Sequence, residues 1–428
     1  MNHITAFIKE FKMTPRQFFE MAKKTSSKQL ISLYTSMIVG LVIGIISSGF
    51  IARKLGREAY GDWSFVQNVC QFAVTFVTFG FFYSGARLVA ASKNAHKKHD
   101  IIGTMVLIGI WISLLFILIL FFGSWFENKI FHNQLGNLFR MFAPLLFVYP
   151  FEQFCENMLT GDNKIYNLSF FRLGPKVAYL LFSVGWYFLV APLTVKTAFG
   201  FYLVSMAIFI LFAIYRLKPS FSETRHNFKI IWDENLRYGF PVFIGALASM
   251  ASTKFGGISL GYFLNNTMVG YFNIAISATL PLTLIPSTIG TTFFKEFANM
   301  KQMPYKVLYF TLVLSLIALL GFLLLIKPLV ILVYSKDYLQ VVPITYLIAI
   351  GSTLQGYGDF YNRFLSAHGR GRDLRNTSFA ISIFNIIGYT VIVYFFGLNG
   401  AAFTKILAGM VYLGMMVYSY LKLTRVEL

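Results

Sequence analysis

At 428 residues, with 57% hydrophobic side chains, 18% aromatics and only 13% charged, the chain is too apolar for a water-soluble domain and reads as an integral membrane protein. Its formal charge of +20 first suggests nucleic acid, but the basic residues are gathered in alternate loops, so nucleic acid is not an expected partner. The longest connection, 217–235, leaves no room for a soluble catalytic domain.

Residues 1–29 form a basic amphipathic N-terminus in which Phe7, Phe11, Phe18 and Phe19 alternate with lysines. Over 4–21 this pattern suits a helix lying in the membrane interface, interrupted by Pro15; a plain basic orientation tail is the competing reading. Twelve apolar segments follow, at 30–52, 64–86, 101–122, 140–159, 168–190, 195–215, 237–262, 268–291, 305–326, 342–363, 376–397 and 399–421. Each is long enough to cross about 30 Å of hydrocarbon as a helix. Alternating ten-residue segments are absent, which argues against a β-barrel. The expected organisation is all-α: a first lobe at 30–216, a connection at 217–235, a second lobe at 236–421 and a tail at 422–428.

The two halves repeat one another. The first segment ends in Leu55, Gly61 and Trp63; the seventh ends in Leu264, Gly270 and Phe272, 209 positions later. The fourth closes with Phe154, Leu159 and Thr160, and the tenth with Phe360, Leu365 and Ser366. Two six-span halves make a parallel repeat about an axis along the membrane normal, a layout transporters use to place a site between rocking lobes. Arg87, Lys93, Lys97, Lys98, Arg216, Lys218, Arg225, Lys229, Arg237, Arg363, Arg370, Arg372 and Arg375 all fall on the side of the N-terminus. This asymmetry puts both termini in the cytoplasm.

Ionisable groups inside a span are costly and mark candidate sites. Glu152 and Glu156 share one face of the fourth span, Arg172 and Lys176 one face of the fifth. Across the short turn between these spans, opposed positions sum to a constant, so Glu156 is level with Arg172 and Glu152 with Lys176. The two pairs are either structural or a charged cavity wall whose carboxylates couple transport to protons. Lys254 and Lys405 show no carboxylate at similar depth and are candidate cavity cations, as are Arg53 and Arg140, for which snorkelling to the interface competes. Asp359 and Arg363 are spaced for a local pair. Pro241, Gly256 and Gly257 make the seventh span the candidate hinge.

No phosphate-binding G-x-x-x-x-G-K-[ST] loop is present, and no cofactor is expected. His96 and His99 form an H-x-x-H without a carboxylate or cysteine cluster, which leaves metal binding weakly supported, and none is expected. Cys70 and Cys155 fall within apolar spans and imply no disulfide.

The run 50–65 (FIARKLGREAYGDWSF) followed by 79–90 (FGFFYSGARLVA), with NRFLSAHGR at 362–370, resembles the bacterial polysaccharide-transport family. Within it the chain is most similar to the O-antigen repeat-unit flippases (Wzx-type) of the multidrug/oligolipid/polysaccharide exporter superfamily. The resemblance implies two six-helix lobes around a central cation-lined cavity in the bacterial inner membrane. It also implies transfer of an undecaprenyl-diphosphate-linked oligosaccharide to the periplasmic leaflet by alternating access. Membrane lipids and the polymerase and chain-length proteins of the same pathway are the implied partners. The lipid II flippases of the family typically carry two more spans than are found here. A drug/cation antiporter of the same superfamily is the alternative, with a glycan polymerase or ligase further behind.

Overall fold

In the computed structural model the described residues are 25–426 apart from Lys93, and they are helical with no strand among them. The amphipathic segment expected at 4–21 lies outside the described residues. The first span is α1 (Thr25–Leu55), and the second is broken into α2 (Arg57–Val77) and α3 (Phe81–Ala91), which meet at 64°. At the break Phe79 and Gly80 take φ of 47° and 82°, left-handed values that stop a helix and that glycine adopts at little cost. The third span is α4 (Ala95–Gly123), opened by the Asn94 side chain accepting from the His96 amide.

The fourth span is not the single helix expected over 140–159. After the short α5 (Glu127–Phe131) it is built from α6 (Gly136–Met141), a 3₁₀ turn (Ala143–Leu145) and α7 (Val148–Gly161). Pro144 and Pro150 supply the reason: each lacks an amide hydrogen and sits in the first turn of its piece, where none is needed. Next come α8 (Ile165–Leu189) and α9 (Val195–Leu217). The connection read as a loop contains a helix, α10 (Thr224–Glu234), which buries Asn227 and Ile231, four apart, and exposes Phe228 and Trp232.

A π-turn at Asn235–Gly239 leads into α11 (Phe240–Phe263), with Pro241 in its first turn. There follow α12 (Asn266–Thr292), α13 (Phe294–Phe297), α14 (Tyr305–Val333), α15 (Val341–Ala367) and α16 (Gly371–Ile387). A second π-turn, Gly388–Ile392, joins α16 to α17 (Val393–Val426), and Gly397 (φ 56°, ψ −135°) breaks α17 where the eleventh span gives way to the twelfth. Six described helices are long and apolar enough to cross a membrane alone, and the bent α2–α3 pair makes a seventh. With the more polar helices packed among them, the chain is an all-α membrane protein of about twelve spans.

Packing divides by lobe. One apolar core draws only on residues 66–231, including Phe116, Phe154 and Phe199; another draws only on 297–423, including Phe297, Phe360 and Phe364. A third joins Ile51, Tyr60 and Phe65 to Leu260, Tyr271, Tyr334 and Tyr338, at the end of the bundle away from the chain termini. The repeat-related glycines meet here. A Cβ on Gly270 would lie 3.1 Å from the Gly61 Cα, and beside them Asn266 donates to Asp62 at 2.7 Å. Equivalent positions of two repeats touch where the axis relating them passes, so the pseudo-twofold axis runs between these glycines.

The seam between lobes is uneven. Helix α2 lies along α11, with Asn68 beneath Gly257 and Phe72 against Phe255 at 6.3 Å, whereas α1 barely touches α12. At the far end, Arg53 reaches across to the last carbonyls of α14, donating to Val333 (2.9 Å), Ile331 (2.8 Å) and Leu332. At the near end, Arg87 pairs with Glu234 at 2.7 Å, while Asn235 accepts from Ser84 (3.1 Å) and donates to the Phe79 carbonyl (3.1 Å).

Candidate functional site

The charges of the fourth and fifth spans are placed by one bidentate pair. Arg172 on α8 donates to both carboxylate oxygens of Glu156 on α7, at 2.8 and 2.6 Å. With 156 level with 172, the antiparallel geometry sets Glu152 level with Lys176. The second pair nevertheless does not close. Lys176 donates to the Gly40 carbonyl of α1 at 3.3 Å, and Glu152 makes no ion pair within 4 Å among the described residues.

Glu152 instead stands in the field of two ammonium groups, Lys176 of its own lobe and Lys254 of the other. Two contacts fix this level. The Tyr149 hydroxyl donates to Gln67 at 3.0 Å, which locks α7 against α2; the Phe72–Phe255 contact locks α11 against the same stretch of α2. Glu152 lies one turn beyond Tyr149, and Lys254 adjoins Phe255, so both come level with residues 70–72 of α2. Lys254 therefore has a carboxylate at its depth after all. It was illegible in the sequence because it comes from the opposite lobe, through a contact that no local spacing encodes.

Lys405 also finds polar company, inside the second lobe. Its ammonium donates to Gln355 at 2.5 Å and lies in the field of Asp359. Asp359 accepts from Tyr412 (2.6 Å) rather than pairing with Arg363, and Asn362 donates to the same tyrosine hydroxyl (3.1 Å). Ser366 extends the chain by donating to Asn362 at 3.1 Å.

Arg53 and Arg140 are placed elsewhere. Arg53 caps the carboxyl end of α14, where unpaired carbonyls and the helix dipole favour a cation. Arg140 lies over the Trp125 ring at 5.7 Å, beyond the far end of α4. Both lie outside the mid-bundle cluster of Glu152, Lys176 and Lys254.

Of the hinge residues, Gly256 and Gly257 are sites of close approach. A Cβ on Gly257 would lie 2.7 Å from the Asn68 side chain, and one on Gly256 would meet Tyr389 at 3.0 Å. Pro241 follows directly on the π-turn, so the irregular backbone of this span lies at 235–239, a feature with no clear signature in the sequence.

The two histidines of the H-x-x-H diverge: His96 bonds Asp100 at 2.9 Å and His99 the Leu217 carbonyl at 3.0 Å. No group of three metal-ligating side chains occurs among the described residues. Between the fourth and fifth spans, burial would raise the Asp162 carboxyl, but Lys164 (2.7 Å) and Lys98 (2.9 Å) outweigh it and hold it below the usual range. In the far-end connection, burial pushes Glu127 up to about 7 although the Gly136 amide donates to it at 3.1 Å.

Two lobes related by an internal repeat, in contact around a charged mid-bundle cluster, form a layout that membrane transporters use. The family model described as "Polysaccharide biosynthesis protein" matches residues 26–294, and the chain belongs to that family. No curated protein gives a match. Among solved structures, the lipid II flippase MurJ in an inward closed conformation is similar at TM-score 0.75 and 17% identity, over 92% of this chain and 90% of that one. An inward-facing MATE family transporter of the MOP superfamily gives TM-score 0.70 and 14% identity, over 93% and 99% of the two chains. An outward-facing MATE transporter gives 0.59 and 14% identity, over 93% and 96%. These likenesses show a shared fold.

Proposed function

We propose that the chain flips an undecaprenyl-diphosphate-linked oligosaccharide repeat unit, of the O-antigen or a similar surface-polysaccharide type. The transfer runs from the cytoplasmic to the periplasmic leaflet of the bacterial inner membrane, with both termini cytoplasmic. The observation that carries this reading is that Lys176 and Lys254, one from each lobe, both act on the single carboxylate of Glu152 at one level of the seam. A diphosphate offers two negative charges to two ammonium groups, in a setting of low dielectric where the attraction is strong. The loosely packed seam between α1 and α12 suits a polyprenyl tail that stays in lipid while the head group crosses. Outward movement of two negative charges is favoured by roughly 4.6 kcal/mol per 100 mV if they cross the full field. Family membership supports a polysaccharide-pathway cargo, and the likeness in fold to a lipid II flippase supports a lipid-linked one. Glu156 and Arg172 stand one turn from Glu152 and Lys176, while Lys405 is a further candidate cation inside the second lobe, where the Asp359–Tyr412 ladder is a candidate coupling element.

Drug/cation antiport is the second reading, favoured by the likeness to MATE transporters. It calls for a carboxylate free to take a cationic cargo, whereas Glu152 already faces two lysines and Glu156 an arginine.

Proteoliposomes containing the purified chain and labelled undecaprenyl-diphosphate-oligosaccharide test the proposal. The expected result is protein-dependent exposure of glycan to a membrane-impermeant reagent in the opposite leaflet, without change in the mass of the lipid. Lengthening or cleavage of the lipid without exposure would overturn it.

A further inference from the structure

Resting on that reading, we infer that Glu152 is an exchangeable counter-ion: it holds Lys176 and Lys254 while the seam is empty and yields them to the diphosphate of the cargo. Three observations converge. Glu152 sits at the depth of both lysines yet closes a contact pair with neither, unlike Glu156 one turn away, whose two oxygens are both taken by Arg172. Lys176 spends its one visible bond on a backbone carbonyl, Gly40, at a long 3.3 Å. And the carboxylate and Lys254 belong to different lobes, so their attraction ties the lobes together at mid-membrane.

Two chemical consequences follow. With the cargo absent, one carboxylate leaves the two lysines only partly neutralised, which spares the desolvation cost of two bare cations while keeping the site attractive to an anion. With the cargo present, the same carboxylate repels the diphosphate at short range and weakens its hold, so the lipid can leave on the other side. Glu152 thus sets affinity against release. It acts through the field it sets up at the lysines rather than on the reacting lipid, and is a positioning residue.

The charge-neutral isostere Glu152→Gln separates this role from a structural one. In nanodiscs, the full chain carrying Glu152→Gln is expected to bind labelled undecaprenyl-diphosphate-oligosaccharide at least tenfold more tightly than wild type and to flip it several-fold more slowly. In the Lys254→Gln background the gain in affinity should vanish. Unchanged or weaker binding by Glu152→Gln would overturn the inference, because loss of a structural ion pair can only loosen the site. A second measurement needs no cargo. Amine-selective labelling of Lys254 by trinitrobenzenesulfonate, read by mass spectrometry, should quicken in Glu152→Gln, and equal rates would overturn the counter-ion role. Quickened labelling in a chain whose wild type binds no polyprenyl diphosphate would retain the tie and overturn the cargo alone.

Discussion

Glu156 and Arg172 each carry a charge whose partner is supplied by one other side chain, about one-third exposed on both sides. Removing one partner leaves the other charged and poorly solvated, a larger loss than removing both. Arg172→Gln is expected to lower stability by about 1–3 kcal/mol in detergent, seen as a fall in the thermal midpoint. The Glu156→Gln, Arg172→Gln double variant should recover part of the loss. Recovery would not occur if the two residues acted independently.

The Glu127 carboxyl makes a sharper prediction. Its folded value is raised to about 7 by burial, above the unfolded range, so the folded state holds the proton more tightly than the unfolded one. The stabilisation is complete below the unfolded value and disappears as pH rises through about 7. Amide exchange over 124–142, corrected for intrinsic rate, should therefore be faster at pH 8 than at pH 6. Glu127→Gln, which mimics the neutral acid, should abolish the difference.

At this scale the sequence was informative where partners lie on neighbouring antiparallel helices. The Glu156–Arg172 pair followed from spacing and a sum rule alone. The environment of Lys254 did not, because Glu152 reaches it across the lobe boundary, and Asp359 turned from Arg363 to Tyr412 because helix packing offered a better-placed donor.

Among the helices, the glycines decide how closely α2, α11 and α12 approach. A methyl group on Gly257 would press on Asn68, whose amide is held by the Ser64 carbonyl at 2.9 Å, and cannot give way freely. Gly257→Ala should lower the thermal midpoint and loosen the seam, whereas Gly245→Ala, where nothing lies within 4 Å, should be neutral or slightly stabilising. A comparison of the two in the same detergent separates packing from flexibility. If both substitutions are equally harmful, freedom of the backbone is what the span requires.

The positions of most spans were legible from hydropathy. The fragments of the fourth span and the helix at Thr224–Glu234 were not, since proline in a first turn and a short amphipathic surface helix leave little trace in an apolar profile. The break at Phe79–Gly80 has no apolar signature either, for the residues on each side are as hydrophobic as any in the bundle.

For the molecule as a whole, the far end is closed by a small set of bonds between lobes. Besides Arg53 on the α14 carbonyls, Tyr338 donates to the Ala52 carbonyl at 2.8 Å, and Ser48 bonds Tyr334 across the seam (3.2 Å) and Tyr60 within its own lobe (2.7 Å). Arg53→Ala leaves helix-end carbonyls unpaired and should shift the population toward opening on that side. A Ser48→Cys reporter is expected to react several-fold faster with a membrane-impermeant maleimide in the Arg53→Ala background. Equal rates in both backgrounds would mean that the aromatic layer alone keeps this end shut.

The glycine contact between Gly61 and Gly270 lies close to one rim of the bundle, not at its centre. From there the second span, bent by 64° on the way, reaches Arg87 at the other rim roughly 30 Å off. The two lobes therefore resemble the arms of a nutcracker. A degree or two of rotation at the joint becomes an ångström or so at the far tip of the arms, where a bulky head group must pass. Slack at the joint is magnified in the same ratio, so the tolerance for error in this protein is smallest where its side chains are smallest.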